Sequence, residues 1–397
     1  MPVPSGRRPS SVHPRPLSGL RVLDLTRVLA GPYCTLLLAD LGADVVKVER
    51  PETGDDARSF GPFLENGHSA YFASINRGKK SIALDLKDDA DRATFLQLVT
   101  RADILVENYR AGTMLKLGLD SESLCKHNPR LIYASLSGFG QSGSDTDRAA
   151  YDIVVQALSG LMSITGAGPG QSVRVGTSIS DILTGIFGAV AIVSAVHGRT
   201  TSGEGTVIDL AMLDCTVAAL ENAISRFTTS GVSPAPLGTR HPSITPFQSF
   251  PTADVPIVVA AGNDSLWTAL CRCLDREDLA TDPRFVSNAD RTGHHEELDA
   301  ELTQAFSQRP ATEWLRRLAT AGIPSAPIRS IEDVVADPHL ASREMWHTMN
   351  DGHGGELLTA GSPFRMNDTA PPLSPTTPDL DEHHQEILSQ WLMDDSR

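Results

Sequence analysis

From Arg21 to Ser137 short apolar runs alternate with helical patterns, and that alternation leaves few architectures open. Arg21–Leu25, Asp44–Glu49, Ser81–Leu86, Asp103–Glu107 and Arg130–Ser137 read as strands. Between them Gly31-Pro32 opens a helix that runs to Leu41 and is ended by Gly42, and Asp89–Thr100 reads as another helix. Strands separated by helices of this length run parallel, joined by right-handed crossovers. The expected fold class is therefore α/β, with a Rossmann-like open parallel sheet. After the first strand stands Arg27-Val-Leu-Ala-Gly-Pro32 rather than G-x-G-x-x-G, which disfavours a nicotinamide dinucleotide.

The pattern shifts near residue 200. Gly198–Gly205 reads as a turn-rich break, followed by a strand at Val207–Leu210 and a helix over Met212–Arg226. Ser230–Thr245, rich in Pro, Gly, Ser and Thr, reads as a linker or mobile loop. A second αβ region follows, with a strand at Val255–Ala260 and helices at Asp264–Leu274, Glu297–Ser307 and Ala311–Ala321. Residues 345–375 read as strand and loop, and Asp379–Met393 as a last amphipathic helix.

Bulk properties exclude several function classes. At 397 residues the chain exceeds one small core, so a large and a smaller domain are expected. A net charge of −15 disfavours nucleic-acid partners, which need a basic face. No uninterrupted apolar run of membrane-spanning length is read, and the Pro/Ser/Arg-rich opening over residues 1–17 is expected to be a disordered tail rather than a signal peptide. Five scattered cysteines suit reduced thiols in the cytoplasm. Neither they nor His294-His295 and His383-His384 have ligand spacing, so no metal is expected. A serine nucleophile lacks its G-x-S-x-G elbow.

Asp181 is the one acid in a long apolar stretch, and from Ile182 to Val196 only Thr184 and Ser194 are neither apolar nor Gly. This predicts a largely buried helix with Asp181 at its start. There the carboxylate, or Ser180 beside it, serves as the helix cap, and the dipole would keep it ionised. A second acid, in Tyr151-Asp152, opens another helix after the Gly-rich turn Ser137–Gly143. Cations gather around the predicted strand ends: Arg50, then Arg77, Lys79, Lys80 and Lys87, then Arg110 and Lys116. Ligands of open parallel sheets sit beyond the carboxyl ends of the strands, so these residues are candidates for an anionic ligand.

Several stretches, taken in order, resemble the family III CoA-transferases, a group that includes formyl-CoA transferase, dicarboxylate CoA-transferases, carnitine CoA-transferase and α-methylacyl-CoA racemase. They are Leu23–Pro32, Leu41–Pro51 with Gly54-Asp55, Asn76–Lys87, Val106–Arg110, Tyr151–Thr165 and Ala261–Asp264. The resemblance spans roughly residues 18 to 390. It implies that Asp181 is the catalytic aspartate, with Tyr151 and Asp152 beside it. It further implies that Leu29, Ala30, Arg50, Leu84, Asp85, Leu86, Lys87, Asn108, Tyr109, Arg110, Lys116, Ala149 and Ala150 meet coenzyme A, which is bound as substrate and not as a resident cofactor. Racemases of the family carry a His where this chain has Tyr151, and a phenol titrating near 10 is a poor base at neutral pH.

The implied reaction moves CoA between small carboxylic acids, with acyl-CoA and such acids as partners, through an aspartyl anhydride and an aspartyl-CoA thioester. The Gly-rich run after Asp181 would let substrate approach closely and exclude water. Likeness to the succinyl-CoA:dicarboxylate branch implies succinyl-CoA or another short acyl-CoA as donor and a short dicarboxylate or hydroxy-acid as acceptor. The alternatives are a racemase-type enzyme and a CoA-binding protein without turnover. The family also implies an interlocked homodimer. Its large domain would be residues 18–224 completed by 341–397, and its small αβ domain 225–340 between long linkers.

Overall fold

A computed structural model describes residues 15–350, 355–367 and 369–393. The tail expected over residues 1–17 lies outside the described residues up to residue 14, but Leu17 is buried and its N–H bonds Leu41 O at 3.0 Å. Packed structure thus begins before residue 18. The described residues within 15–161, 175–224 and 338–393 form one compact unit, and residues 162–174 with 225–337 form another.

In chain order the first elements are β1 (Arg21–Asp24), α1 (Ala30–Asp40), β2 (Asp44–Glu49), α2 (Ala70–Asn76), β3 (Lys80–Ala83) and α3 (Asp89–Arg101). There follow β4 (Ile104–Glu107), α4 (Thr113–Lys116), α5 (Ser121–His127), β5 (Ile132–Ser137), α6 (Asp152–Leu158), α7 (Leu161–Ile164), α8 (Ile179–Ser202) and β6 (Thr206–Ala211). The six strands form one sheet in the order β3-β2-β1-β4-β5-β6, every pair parallel. This is the doubly wound order, in which the chain reverses direction between β1 and β4. Adjacent residues of each strand feed opposite cores. Leu23, Val46 and Leu105 join Phe95, Leu98 and Trp391 on one face, while Val22, Val45, Ile104 and Ile132 join Leu37, Leu38 and Ile192 on the other. Burial of both faces explains why the strands read as continuous apolar runs.

Two expectations about helices are corrected. The predicted break at Gly198–Gly205 is helical as far as Ser202, and α8 ends only at Gly203, whose φ of 75° forms a left-handed cap. Arg199 explains this: its buried guanidinium donates to Asp103 O, Asp103 Oδ1 and Arg130 O at 2.9–3.1 Å, tying the last turn to strand ends. Conversely, the helix expected over Met212–Arg226 is two, α9 (Met212–Ala218) and α10 (Ala223–Ser230), separated where Glu221 takes a φ of 54°. By length and composition α8 is the one described helix apolar enough to cross a membrane, although polar residues and glycines interrupt it. Nor is α8 largely buried, since Ile186, Phe187, Val190 and Val193 are exposed.

The remaining part of the first unit contains α17 (Pro338–Ser342), the antiparallel pair β10 (Trp346–Asn350) and β11 (Glu356–Ala360), and α18 (His384–Leu392). Trp391 of α18 donates from its indole N–H to Asp44 at 2.9 Å, returning the chain end to the sheet. The second unit has an antiparallel sheet of β7 (Phe247–Phe250), β8 (Ile257–Ala260) and β9 (Ser325–Pro327), with helices α11 (Asp264–Cys273) to α16 (Ile331–Val335). Its core holds Phe250, Trp267, Phe285, Phe306 and Trp314. β7 and β9 are too short and mixed in pattern to have been read as strands.

α1 and α8 lie against each other because two glycines of α8 face α1. A Cβ at Gly185 would stand 2.8 Å from Ala30 O and 3.1 Å from Cys34 N, and one at Gly188 would stand 2.9 Å from Leu136 Cδ2 and 3.1 Å from Cys34 Sγ. The glycines therefore serve helix contact rather than substrate approach, correcting the sequence expectation. Substitution separates packing from propensity. Alanine is the better helix former by about 1 kcal/mol, so Gly198→Ala, whose Cβ would have nothing within 4 Å, should raise Tm. Gly185→Ala should instead lower stability by about 1–3 kcal/mol in urea unfolding, because Ala30 O is backbone and cannot rotate away. A Gly185→Ala protein as stable as wild type would remove this packing argument.

Candidate active site

Asp181 is the third residue of α8, one turn before Gly185 and on the same side of the helix. Its carboxylate therefore faces the start of α1, where the nearby Ala30 N–H favours its charged form. Neither Asp181 nor Ser180 is the cap; that position is Ser178, which makes no side-chain cap hydrogen bond. α1 also starts without a side-chain cap, at Leu29. The starts of two helices thus lie at one carboxylate, with the Ala30 N–H of α1 beside it.

Asp152 approaches from α6. It is buried, its Oδ1 accepts from Ser180 N at 2.9 Å and its Oδ2 from Gln156 Nε2 at 2.6 Å. Gln156 Oε1 in turn accepts from Val175 N at 2.9 Å, and Thr184 Oγ1 donates to Ser180 O at 2.7 Å. Asp152 thus sets the first turn of α8 and adds a second negative charge beside Asp181. Burial, then the Asp152 charge, push Asp181 up to about 7 against the opposing Ala30 N–H. The helix-dipole expectation of a carboxylate kept ionised is overturned: desolvation and like charge outweigh the dipole.

Tyr71 of α2 lies in the same field. Burial, then Asp181, Asp55 and Asp152, push its phenol up to about 12. Nothing in the sequence pointed to Tyr71, which lies on a short helix with no clear periodicity. Gln156 was legible in principle, four residues after Asp152 on one helix.

The other site residues lie along the carboxyl edge of the sheet. Arg50 follows β2, Leu84, Asp85, Leu86 and Lys87 follow β3, and Asn108, Tyr109 and Arg110 follow β4, with Lys116 ending α4. Lys87, Arg110 and Lys116 are exposed and form no ion pair among the described residues. Arg50 donates to Gly54 O at 3.1 Å and Asp56 Oδ1 at 2.6 Å. Leu84 is buried, and Asp85 accepts from Lys87 N at 3.0 Å within its own turn. Asn108 spends both ends of its amide on Arg27, accepting from Arg27 N and donating to Arg27 O at 2.8 Å each. Ala149 and Ala150 precede α6, and a Cβ on Gly138 would stand 2.2 Å from Ala150 Cβ, so that glycine lets the turn close down. Tyr151 caps α6 and leaves its side chain 72% exposed.

Three cations are not available to a ligand. Lys79 is fully buried with its Nζ at 3.0 Å from Asp24 Oδ2, 2.8 Å from Thr35 Oγ1 and 2.8 Å from Asn76 Oδ1. Arg77 pairs with Asp40 at 2.7 Å, and Lys80 lies between Asp44 and Glu386. Among the described residues no group of three or more His, Cys, Asp or Glu is placed to hold a metal ion.

Residues 17–384 match the model of CoA-transferase family III. The acetyl-CoA:oxalate CoA-transferase of Acetobacter aceti is 43% identical over 384 residues, covering 96% of this chain and 97% of that protein. The succinyl-CoA:mesaconate CoA-transferase of Haloarcula marismortui is 43% identical over 387 residues, covering 95% and 97%. The succinate–glutarate CoA-transferase of Agrobacterium fabrum is 40% identical over 381 residues, covering 94% and 95%. Among solved structures, a CAIB/BAIF family protein from Brucella suis superposes with a TM-score of 0.83 at 38% identity, covering 96% of this chain and all of that one. The chain belongs to CoA-transferase family III.

Proposed function

We propose that the protein exchanges CoA between small carboxylic acids with Asp181 as nucleophile. The observation that carries this reading is the placement of Asp181, a carboxylate at two uncapped helix N-termini and backed by Asp152. Asp181 attacks the donor thioester carbonyl, the C–S bond breaks, and CoA leaves as thiolate from an aspartyl–acyl anhydride. The thiolate attacks the aspartyl carbonyl, releasing the donor carboxylate and leaving aspartyl-CoA. The acceptor carboxylate then reverses the two steps, so no net hydrolysis or phosphate energy is needed. Each addition places charge on a carbonyl oxygen, and where the aspartyl carbonyl is attacked the Ala30 N–H is the donor at hand.

The exposed Lys87, Arg110 and Lys116 are assigned to the phosphates of CoA, and Arg50 would join them by leaving Asp56. The Leu29–Ala30 and Ala149–Asp152 turns are assigned to its thioester end, with Tyr151 toward the substrate. Three relatives are named for oxalate, mesaconate and glutarate, all dicarboxylates, which supports a short dicarboxylate as acceptor; two of the names carry succinyl-CoA or succinate and one acetyl-CoA, which supports succinyl-CoA or another short acyl-CoA as donor. The five cysteines are free, which suits a cytoplasmic setting.

A homodimer is part of the same reading, with the domain division at about residues 225 and 340. The exposed apolar side chains of α8 at Ile186, Val190 and Val193 recur at helical spacing and support a protein partner there. Val190→Lys should shift the protein toward monomer in light scattering; a wild-type mass distribution would move the interface elsewhere.

Asp181→Ala should lower transfer by about 10³-fold or more while acyl-CoA still binds. Hydroxylamine trapping after incubation with an acyl-CoA should modify the Asp181 peptide of the wild type alone. Modification of another peptide would overturn the mechanism.

Because Asp181 must be ionised to attack, kcat/KM should rise with pH through about 7 and level off above it. Asp152→Asn should move that limb to lower pH by removing the neighbouring charge. Stability has the opposite sign. The folded state holds the Asp181 proton at pH values where the unfolded chain has lost it, so this group's contribution is full below the unfolded carboxylate value near 3.8 and is lost as pH rises through about 7. A profile flat from pH 5.5 to 8.5 in about that range would contradict both the nucleophile and its setting.

A further inference from the structure

The turn that delivers Ala30 to Asp181 is not relaxed. Val28 has a φ of 66°, in the left-handed region, where a β-branched side chain crowds the backbone. Its neighbours offer no local reason for that conformation, since the turn has no glycine between Thr26 and Ala30. What holds it are side chains from three other parts of the chain. Lys47 of β2, fully buried, donates to Thr26 O at 2.8 Å and lies 2.9 Å from Asp55 Oδ2. Asp55, also buried, accepts through Oδ1 from Val28 N at 3.0 Å and from Ala57 N at 2.9 Å. Between these, both backbone groups of Arg27 are taken by the Asn108 amide at 2.8 Å.

Four backbone groups in succession, from Thr26 O to Val28 N, are therefore fixed by one ion pair and one amide. Asn108 follows β4 and the turn follows β1, so the amide stitches together the two strands between which the sheet reverses direction. Leu29 comes next as the cap residue of α1, and then Ala30, whose carbonyl lies against Gly185 of α8 one turn beyond Asp181 and whose N–H favours the charge on that carboxylate.

We propose that Lys47, Asp55 and Asn108 are positioning residues for CoA transfer: they hold the strained Arg27–Leu29 turn so that the Ala30 N–H stays aimed at Asp181. This rests on Asp181 being the nucleophile. The strained valine is the cost of that aim, because the turn cannot relax to an ordinary conformation without rotating the first N–H of α1. It also gives Asn108 a role other than meeting CoA with its side chain.

Val28→Gly tests this without threatening the fold. Glycine adopts a positive φ freely, so Tm should stay level or rise, while the turn gains alternative conformations. Single-turnover formation of the Asp181 adduct should slow by about tenfold or more with KM for acyl-CoA within about twofold, as expected when a reacting group loses alignment. Asn108→Ala should show the same split of kcat from KM, assayed well below its own Tm. A Val28→Gly rate that falls by less than tenfold overturns the proposal. So does an Asn108→Ala enzyme whose loss lies wholly in KM, which would mark Asn108 as a direct CoA ligand. The wild-type trapping result separates the two readings. No adduct at Asp181 in wild type sinks both, whereas an adduct formed equally fast by wild type and Val28→Gly sinks only the positioning role.

Discussion

The approach of α8 to α1 is the contact on which the site depends. Two missing Cβ atoms, at Gly185 and Gly188, let α8 press against Ala30, Cys34 and Leu136. One helical turn earlier the same face carries Asp181, so the residue that ends up beside the first N–H of α1 is decided by helix periodicity. Asp152 then fixes the remaining freedom by taking Ser180 N, the backbone group adjacent to Asp181. A side chain at position 185 would shift α1, and with it the amide aimed at the carboxylate. Packing and chemistry share one face of one helix.

The buried acids of the first unit show how neighbours decide charge. Burial raises Asp24, Asp55 and Asp181 alike. For Asp24 the Lys79 and Lys47 charges and the Thr26 and Thr35 hydroxyls more than reverse it, and for Asp55 the Lys47 charge and backbone N–H groups do so; both lie below the usual carboxylate range. Asp181 has no lysine, only the Ala30 N–H against another carboxylate, and rises. Two of these groups are structural and stay ionised; the third is poised to change state near neutrality. Carboxylates raised in this way cluster at functional sites.

Much of the sheet was legible because both of its faces are buried. Strands such as Ile104–Glu107 and Ile132–Ser137 have to be mostly apolar, and helices between them have to cross over. Asp181 was visible as the one acid of an apolar segment. Its protonation was not, because Asp152 reaches Ser180 across 28 residues of sequence, and only folding brings that charge near. The same limit misled the reading of Lys79 and Arg77. As strand-adjacent cations they resemble phosphate ligands, but Asp24 and Asp40 turn them inward. α8 outran its predicted end for a related reason, since Arg199 draws its support from Asp103 and Arg130 rather than from neighbouring sequence.

A carboxylate raised to about 7 also biases which intermediate of the proposed cycle accumulates. The anhydride between Asp181 and the donor acid has two carbonyls that CoA thiolate can attack. Attack on the donor acyl carbon expels Asp181 and returns the starting thioester. Attack on the aspartyl carbon expels the donor acid, whose carboxyl titrates near 4 in solution. The weaker base is the better leaving group, so the second path is favoured and the intermediate partitions toward aspartyl-CoA. The environment that withholds the charge from free Asp181 opposes its departure from the anhydride by the same means. Asp152 therefore does more than slow ionisation. By making Asp181 a poor leaving group it favours aspartyl-CoA over either anhydride, and the same bias opposes the last step, in which the acceptor anhydride yields product only by expelling Asp181.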